Sequence, residues 1–362
     1  VRWLLMAGLG VAGVALLAAL AVCLGSGCAD LGYYKQSAAG HLDLMTRAKP
    51  VDEWIGDPAT PDKLKQRLAL SKQMRDFSVQ VLKLPDNASY RGFADLQRPA
   101  AVWNVVAASP LSLDLQTWCY PVTGCVGYRG YFDRAEADAL AAKLRAEGQD
   151  VYVYGVPAYS TLGWSNWLGG DPLLNTFVNG AEGDLARLIF HELAHQQLYI
   201  ADDTLFNESF GTAVERIGVR MWLEQHGDGE SRAAYARLQR MRQDFRELTA
   251  RTRGQLEGLY ASAHSADDKQ RAKAQVLAQM RAEHAALKQQ RWEGFAGYDA
   301  WFAQANNASL GLHAAYNELA GDFERLFVQQ GRDFERFYAE AARIGALPKL
   351  ERHATLRAIP QP

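Results

Sequence analysis

Apolar positions recur at helical spacing through most of the chain and alternate in one region only. Residues 64 to 84, "LKQRLALSKQMRDFSVQVLKL", carry apolar side chains three and four apart, with Pro61 ahead and Pro85 just beyond, which predicts a helix. Between about 100 and 157 the pattern changes. "AAVWNVVAAS", "CVGYRGYF" and "VYVYGVPAYS" lean toward β-structure, and the amphipathic "RAEADALAAKLRAEG" precedes the last of them. A small sheet with a crossover helix is expected. Residues 183 to 226 read as two helices joined around "ADDTLF". From about 228 to 293 the sequence is charged, Ala-rich and helix-periodic, with a turn at "HSADDK", which predicts a long helical hairpin. "NNASLGLHAAYNELAGDFERLFVQQ" adds a further amphipathic helix. No fixed-period repeat or low-complexity linker interrupts the pattern. The expectation is a predominantly helical α+β domain over 28–362, with a small sheet ahead of the helix that begins near 183 and an inserted hairpin.

The first residues differ in kind. After Arg2, the uncharged run "WLLMAGLGVAGVALLAALAVCLGSGC" ends at Cys28. Residues 1–27 have the parts of a signal peptide, and "GSGC" resembles a bacterial lipobox, although Gly25 stands where Leu is usual. That likeness implies lipidation of Cys28, and Ala29 after it implies an outer-membrane anchor facing the periplasm. The run is also long enough for an uncleaved inner-membrane anchor. In an oxidising compartment Cys119 and Cys125, six apart across a Pro and a Gly, can close a hairpin as a disulfide, or stand as two separate thiols.

Composition narrows the field. The chain has 362 residues, 48% hydrophobic and 22% charged, enough for a sizeable core. Lys and Arg number 39 against 41 Asp and Glu, so no basic excess points to nucleic acid.

The chemistry concentrates in "FHELAHQQLYIADDTLFNESFGTAVE", residues 190 to 215, in a chain with 8 histidines. His191 and His195 are one helical turn apart and can direct both imidazoles at one ion. Glu192 projects about 100° around the axis and can hold a water. Two imidazoles, a third protein ligand and an open position beside a carboxylate base are what a zinc hydrolase needs. A chance match to His-Glu-x-x-His in such a chain is on the order of one per cent. On the next helix Glu208, Gly211, Thr212 and Glu215 share one stripe, with small side chains between the two acids, so Glu208 is the expected third ligand. Glu215 is then an acceptor that orients a ligand histidine, a competing ligand, or a solvated surface residue.

"HELAH" followed by "FNESF" resembles the gluzincin metallopeptidases, in which a downstream Asn-Glu pair supplies the third ligand. More closely, "GYYKQSAAGHLDLM", "LPDNASYRGFADL", "WCYPVTGCVGYRGYF", "AYSTLGW" and the 191–215 stretch together resemble a bacterial lipoprotein family described as predicted aminopeptidases, over nearly all of residues 31 to 330. The resemblance implies a zincin-like fold, one Zn²⁺ per chain held by His191, His195 and Glu208, and Glu192 as base. The expected reaction is peptide-bond hydrolysis, with Glu192 moving a proton from an activated water to the leaving amine. Tyr316 and His313, three apart on one helical face, are candidate oxyanion donors. Tyr159 and Ser160 are candidates for contact with a peptide that extends the sheet, against a reading as ordinary strand-end packing. Gluzincin aminopeptidases hold the substrate amine with a carboxylate near that strand, and "VYVYGVPAYSTLG" contains none. Asp150, Asp171, Glu215 and Glu318 remain candidates. An endopeptidase is the alternative within the same chemistry, and a non-catalytic lipoprotein binding partners through its hairpin is the alternative outside it.

Overall fold

Local signals set several helix boundaries. Pro61 precedes a helix over Asp62–Gln80, and the Asp133 carboxylate caps a helix over Arg134–Ala146 by accepting from the Ala135 N–H at 2.7 Å. In the computed structural model, which describes residues 29–120, 124–161, 169–201, 203–312 and 319–360, the order is as follows. It begins α1 (Ala29–Arg47), β1 (Lys49–Pro50), α2 (Val51–Gly56), α3 (Asp62–Gln80), β2 (Gly92–Ala94) and β3 (Val102–Ala108). Next come β4 (Trp118–Tyr120), β5 (Gly124–Val126), β6 (Arg129–Tyr131), α4 (Arg134–Ala146), β7 (Asp150–Val156) and β8 (Leu173–Leu174). Helices follow: α5 (Glu182–Gln197), α6 (Thr204–Gln225), α7 (Gly229–Ala261), α8 (Ala266–Gln290), α9 (Asp299–Gln304), α10 (Asn307–Leu312), α11 (Ala320–Gln329), α12 (Phe334–Gly345) and α13 (Lys349–Arg357). With 62% helix and small sheets, the class is predominantly helical α+β. No described helix is long and apolar enough to cross a membrane. The expected signal segment and Cys28 lie outside the described residues.

The apolar pattern of α3 runs to Leu84, but the helix stops at Gln80. Lys83 takes φ 55°, and the Leu82 and Leu84 N–H groups turn back to the Phe77 and Ser78 carbonyls. The sheet that matters for function has the order β6-β3-β7. Both outer strands run antiparallel to β3, in a register that sets Val105 against Val153 and Val102 against Val156. The α4 connection therefore joins two strands that are parallel to each other and flank β3. Strand β7 is an edge, and its end leads toward the cleft. Strands β4 and β5 form a hairpin whose facing residues, Cys119 and Cys125, are disulfide-bonded.

The main core forms where α3, α5, α6, α11 and α12 meet, around Phe190, Phe206, Phe210, Trp222, Phe323 and Phe337, all fully buried. Each such side chain contributes roughly 1.5–3 kcal/mol by leaving water. Helix α5 buries Leu185, Ile189, Phe190, Leu193, Ala194 and His195, nearly all round its axis, so it runs through the interior. Helix α6 packs against it through glycines. A Cβ on Gly218 would stand 2.7 Å from Leu82 and 2.9 Å from Phe190. Helices α7 and α8 form the hairpin, with a separate core around Phe245, Met280, Trp292 and Phe302.

The start of α6 is clamped from a distant part of the chain. Asp203 caps the helix at the Phe206 N–H and also accepts from Arg352 Nη1 at 2.6 Å and meets His353 Nε2 at 2.9 Å, both on α13. Burial would raise the Asp203 pKa, but its bonds to Arg352, the Phe206 N–H and His353 hold it below the usual carboxylate range. Replacing Asp203 by Ala should cost about 3–5 kcal/mol at pH 7, because it strands the largely buried Arg352, as read by urea unfolding. A group with a depressed folded value stabilises the protein above its unfolded pKa, near 4, and loses that contribution as pH falls through the folded value. The gap between wild type and Asp203→Ala should therefore narrow below about pH 4.

Candidate metal centre

His191 and His195 stand one turn apart on α5 with ring centroids 4.7 Å apart and Nε2 atoms 3.1 Å apart. Helix α6 brings the Glu208 carboxylate to the same point, with Oε2 at 3.3 Å from His191 Nε2 and Oε1 at 3.6 Å from His195 Nε2. A tetrahedral ion with bonds of about 2.0–2.2 Å separates its donor atoms by roughly 3.3–3.5 Å. The imidazole nitrogens stand 3.1 Å apart, and each lies near that separation from a different Glu208 oxygen, 3.3 Å for His191 to Oε2 and 3.6 Å for His195 to Oε1. These residues form the one group of metal-competent side chains found among the described residues. Two imidazole nitrogens and a carboxylate oxygen are a donor set suited to Zn²⁺, so the residues present fit the ion.

The approach of the two helices depends on one missing side chain. A Cβ on Gly211 would stand 2.9 Å from His191 Cε1 and 3.1 Å from both His191 Nδ1 and His195 Cε1. Gly211 and Gly218 are two turns apart and present the same face of α6 to α5. Asn207 fixes the connection before Glu208, since its side chain accepts from the Ile200 N–H at 2.8 Å and donates to the Ile200 carbonyl at 2.7 Å.

A supporting chain of charges lies behind the histidines. Glu215 Oε2 sits 3.0 Å from His191 Nδ1, and Arg187 Nη1 donates to the same oxygen at 3.2 Å. Donation by Nδ1–H to Glu215 leaves the Nε2 lone pair of His191 directed at Glu208 and His195. In the metal-free chain burial alone would lower the His191 pKa, but hydrogen bonds and charge from Glu208 and Glu215 outweigh it and hold it well above the ordinary value. His195 goes the other way: burial, and then the charge on His191, bring it down to about 4. Burial pushes Glu208 and Glu215 up, yet their basic neighbours, His191 for the first and Arg187 for the second, keep both lowered.

Glu192 projects beside this cluster. Burial raises its pKa, opposed by the neighbouring His191 and by Ser160, which lies close to its carboxylate. Tyr90 packs nearby, fully buried, in the left-handed region at φ 61°, with its N–H bonded to the Asp171 carbonyl at 2.6 Å. Strain of this kind, about 1–3 kcal/mol, persists where surrounding structure enforces it. His191, Glu192 and Glu208 line a cavity of about 330 Å³ whose wall includes Val156, Pro157 and Ala158 at the end of β7.

Other residues singled out from the sequence fall in varied places. Ser160 stands at the Glu192 carboxylate. Tyr159 packs on His41 and Phe132 in a satellite core, and Val156 to Ala158 form the cavity wall. Asp171 is fully buried and accepts from the Thr161 N–H and hydroxyl. Asp150 is bound by Lys273 and the Asn307 N–H. His313, Tyr316 and Glu318 lie outside the described residues. Sequence reasoning missed Tyr128 and Tyr154, which lie within electrostatic reach of Glu208, and the Arg187–Glu215 pair. Tyr152 and Tyr154 share a face of β7 by alternation, which was the available signal. Nothing local marks Tyr128.

A family model described as "Putative aminopeptidase" matches residues 32–356. Comparison with curated proteins and with solved structures gives no match.

Gly211→Ala should displace an imidazole and weaken Zn²⁺ binding by about 10- to 100-fold while leaving the fold largely intact, as measured by chelator competition and circular dichroism. Because His191 is held protonated to a higher pH than an ordinary histidine, protons compete with the ion. Zn²⁺ affinity should fall as pH is lowered, from above about pH 6.5, by about tenfold per unit for each proton displaced, measurable by the same competition.

Proposed function

The chain belongs to the family described as "Putative aminopeptidase", and on that footing we propose that it is a zinc-dependent peptidase of gluzincin type with a zincin-like fold. His191, His195 and Glu208 hold one Zn²⁺ and Glu192 is the general base. The observation that carries this reading is the convergence of three donor side chains, with the two Nε2 atoms 3.1 Å apart and the Glu208 carboxylate oxygens 3.3 and 3.6 Å from them, near the spacing around one tetrahedral ion. When bound, Zn²⁺ acts as a Lewis acid on the scissile carbonyl and lowers the pKa of water.

The side chains of the protein do the remaining work. Glu192 takes a proton from the attacking water and returns it to the leaving amine, and burial, which raises its pKa, suits it to both steps. Ser160 lies close to that carboxylate and favours its charged form. Glu215 and Arg187 fix the tautomer of His191. The open edge of β7 receives an extended peptide as an added strand ending at Val156 to Ala158. Tyr154, whose hydroxyl accepts from Asn104 Nδ2 at 3.2 Å, and Tyr128 are described phenols suited to stabilise the oxyanion, in addition to the sequence candidates His313 and Tyr316, which lie outside the described residues. A second reading, endopeptidase, is favoured by the state of the acids: Asp150, Asp171 and Glu215 all have partners, leaving none of these three to hold a substrate amine. We also propose that Cys28 carries a lipid that anchors the chain to the outer membrane.

Purified protein should contain about one Zn²⁺ per chain, and Glu192→Gln should retain it while turnover of peptides drops by about 100-fold or more. A folded chain that never holds zinc would sink the proposal and favour a binding module. Free and N-acetylated peptides separate the two peptidase readings, since equal cleavage of both is the endopeptidase result.

A further inference from the structure

The cavity that contains His191, Glu192 and Glu208 is also lined by Arg187, Arg216, Arg242 and Arg246. Three of these have a protein carboxylate. Arg187 reaches Glu215 at 3.2 Å, Arg216 reaches Glu324 at 3.3 Å, and Arg242 pairs with Asp184. Arg246 has no carboxylate partner among the described residues, and its Nη2 donates only to the amide of Gln243 at 2.6 Å. Two further donors, Arg187 Nε and Arg242 Nη1, are buried with no hydrogen-bond acceptor. With Asp184 and Glu324 counted beside the lining Glu192, Glu208 and Glu215, the carboxylates outnumber the four guanidiniums, yet none of them pairs with Arg246.

Such an arrangement is costly without a ligand. Burial, and then the charges of Arg216 and Arg242, lower the pKa of the half-buried Arg246, as expected for a cation placed among like charges. Unsatisfied buried donors each call for an explanation, and planar guanidiniums are matched in geometry to a carboxylate. Arg246 also feels the charge of Glu215, which bonds His191, so the cluster borders the reacting centre and does not occupy a remote surface.

Resting on the peptidase reading above, we propose that this arginine wall is the subsite that receives a carboxylate of the peptide substrate, with Arg246 as its main contact. The recognised carboxylate belongs either to an acidic side chain near the scissile bond or to the C-terminus of a short peptide. Both present the same chemistry.

The test uses zinc-loaded Glu192→Gln protein, so that binding is read without turnover, and four probes: Ala-Glu-Ala and Ala-Gln-Ala, each with a free or amidated C-terminus. Calorimetry should show that carboxylate-bearing probes bind about tenfold or more tightly than amidated Ala-Gln-Ala. Arg246→Gln should abolish that preference, and Arg246→Lys should retain part of it. Loss of affinity on amidation alone identifies the C-terminus, and loss on Glu to Gln alone identifies the side chain. Equal affinity for all four probes, no binding of any, or a preference that survives Arg246→Gln overturns the subsite. Wild-type turnover is measured alongside: cleavage without a carboxylate preference refutes the subsite and leaves the peptidase, while a carboxylate preference without any cleavage refutes the peptidase and leaves the subsite.

Discussion

The close approach of α5 and α6 governs the rest of the molecule. The His191 and His195 rings occupy the space that a side chain on Gly211 would fill, and Gly218 repeats the arrangement two turns on against Phe190 and Leu82. Because α5 is buried nearly all round, it has no freedom to draw back from its neighbour. The surrounding helices, with Phe206, Phe210, Phe323 and Phe337 interlocked, press the pair together. Two imidazoles and a carboxylate converge through that packing.

Charge is layered around that contact. The innermost layer is His191, His195 and Glu208; behind it stands Glu215, and behind that Arg187, which is also within 3.9 Å of Asp184. Each layer neutralises part of the one before, which is how a buried cluster of this density remains tolerable. Where the layering runs out, at Arg246, the protein carries a positive charge with no acidic counterpart among the described residues.

Much of this was legible in the sequence because the signals were periodic or locally capped. The apolar spacing foretold the helical hairpin, which the structure has as α7 and α8, and the strand-rich region, whose strands β3, β6 and β7 fall inside the segments that looked β-like. The HExxH spacing placed two imidazoles on one face, and the small residues between Glu208 and Glu215 implied a close helix crossing. What periodicity could not convey were contacts between distant segments. The α3 helix stops short of its apolar pattern because Lys83 turns the chain. The side chain of Tyr159 packs into a neighbouring core although its backbone leads from β7. The arginines of α7 sit in a charged, helix-periodic stretch with no local mark of function, and only the fold brings Arg242 and Arg246 to the cavity shared with α5 and α6.

The clamp on Asp203 has a consequence for assembly. The cap of the helix bearing Glu208 is completed by Arg352 and His353, 149 and 150 residues further along the chain. A pairing of that separation carries the entropic cost of closing a long loop. The helix that carries Glu208 therefore gains its full cap only once residues 352 and 353 are in place. Convergence of the three side chains and completion of the fold are in this way tied together.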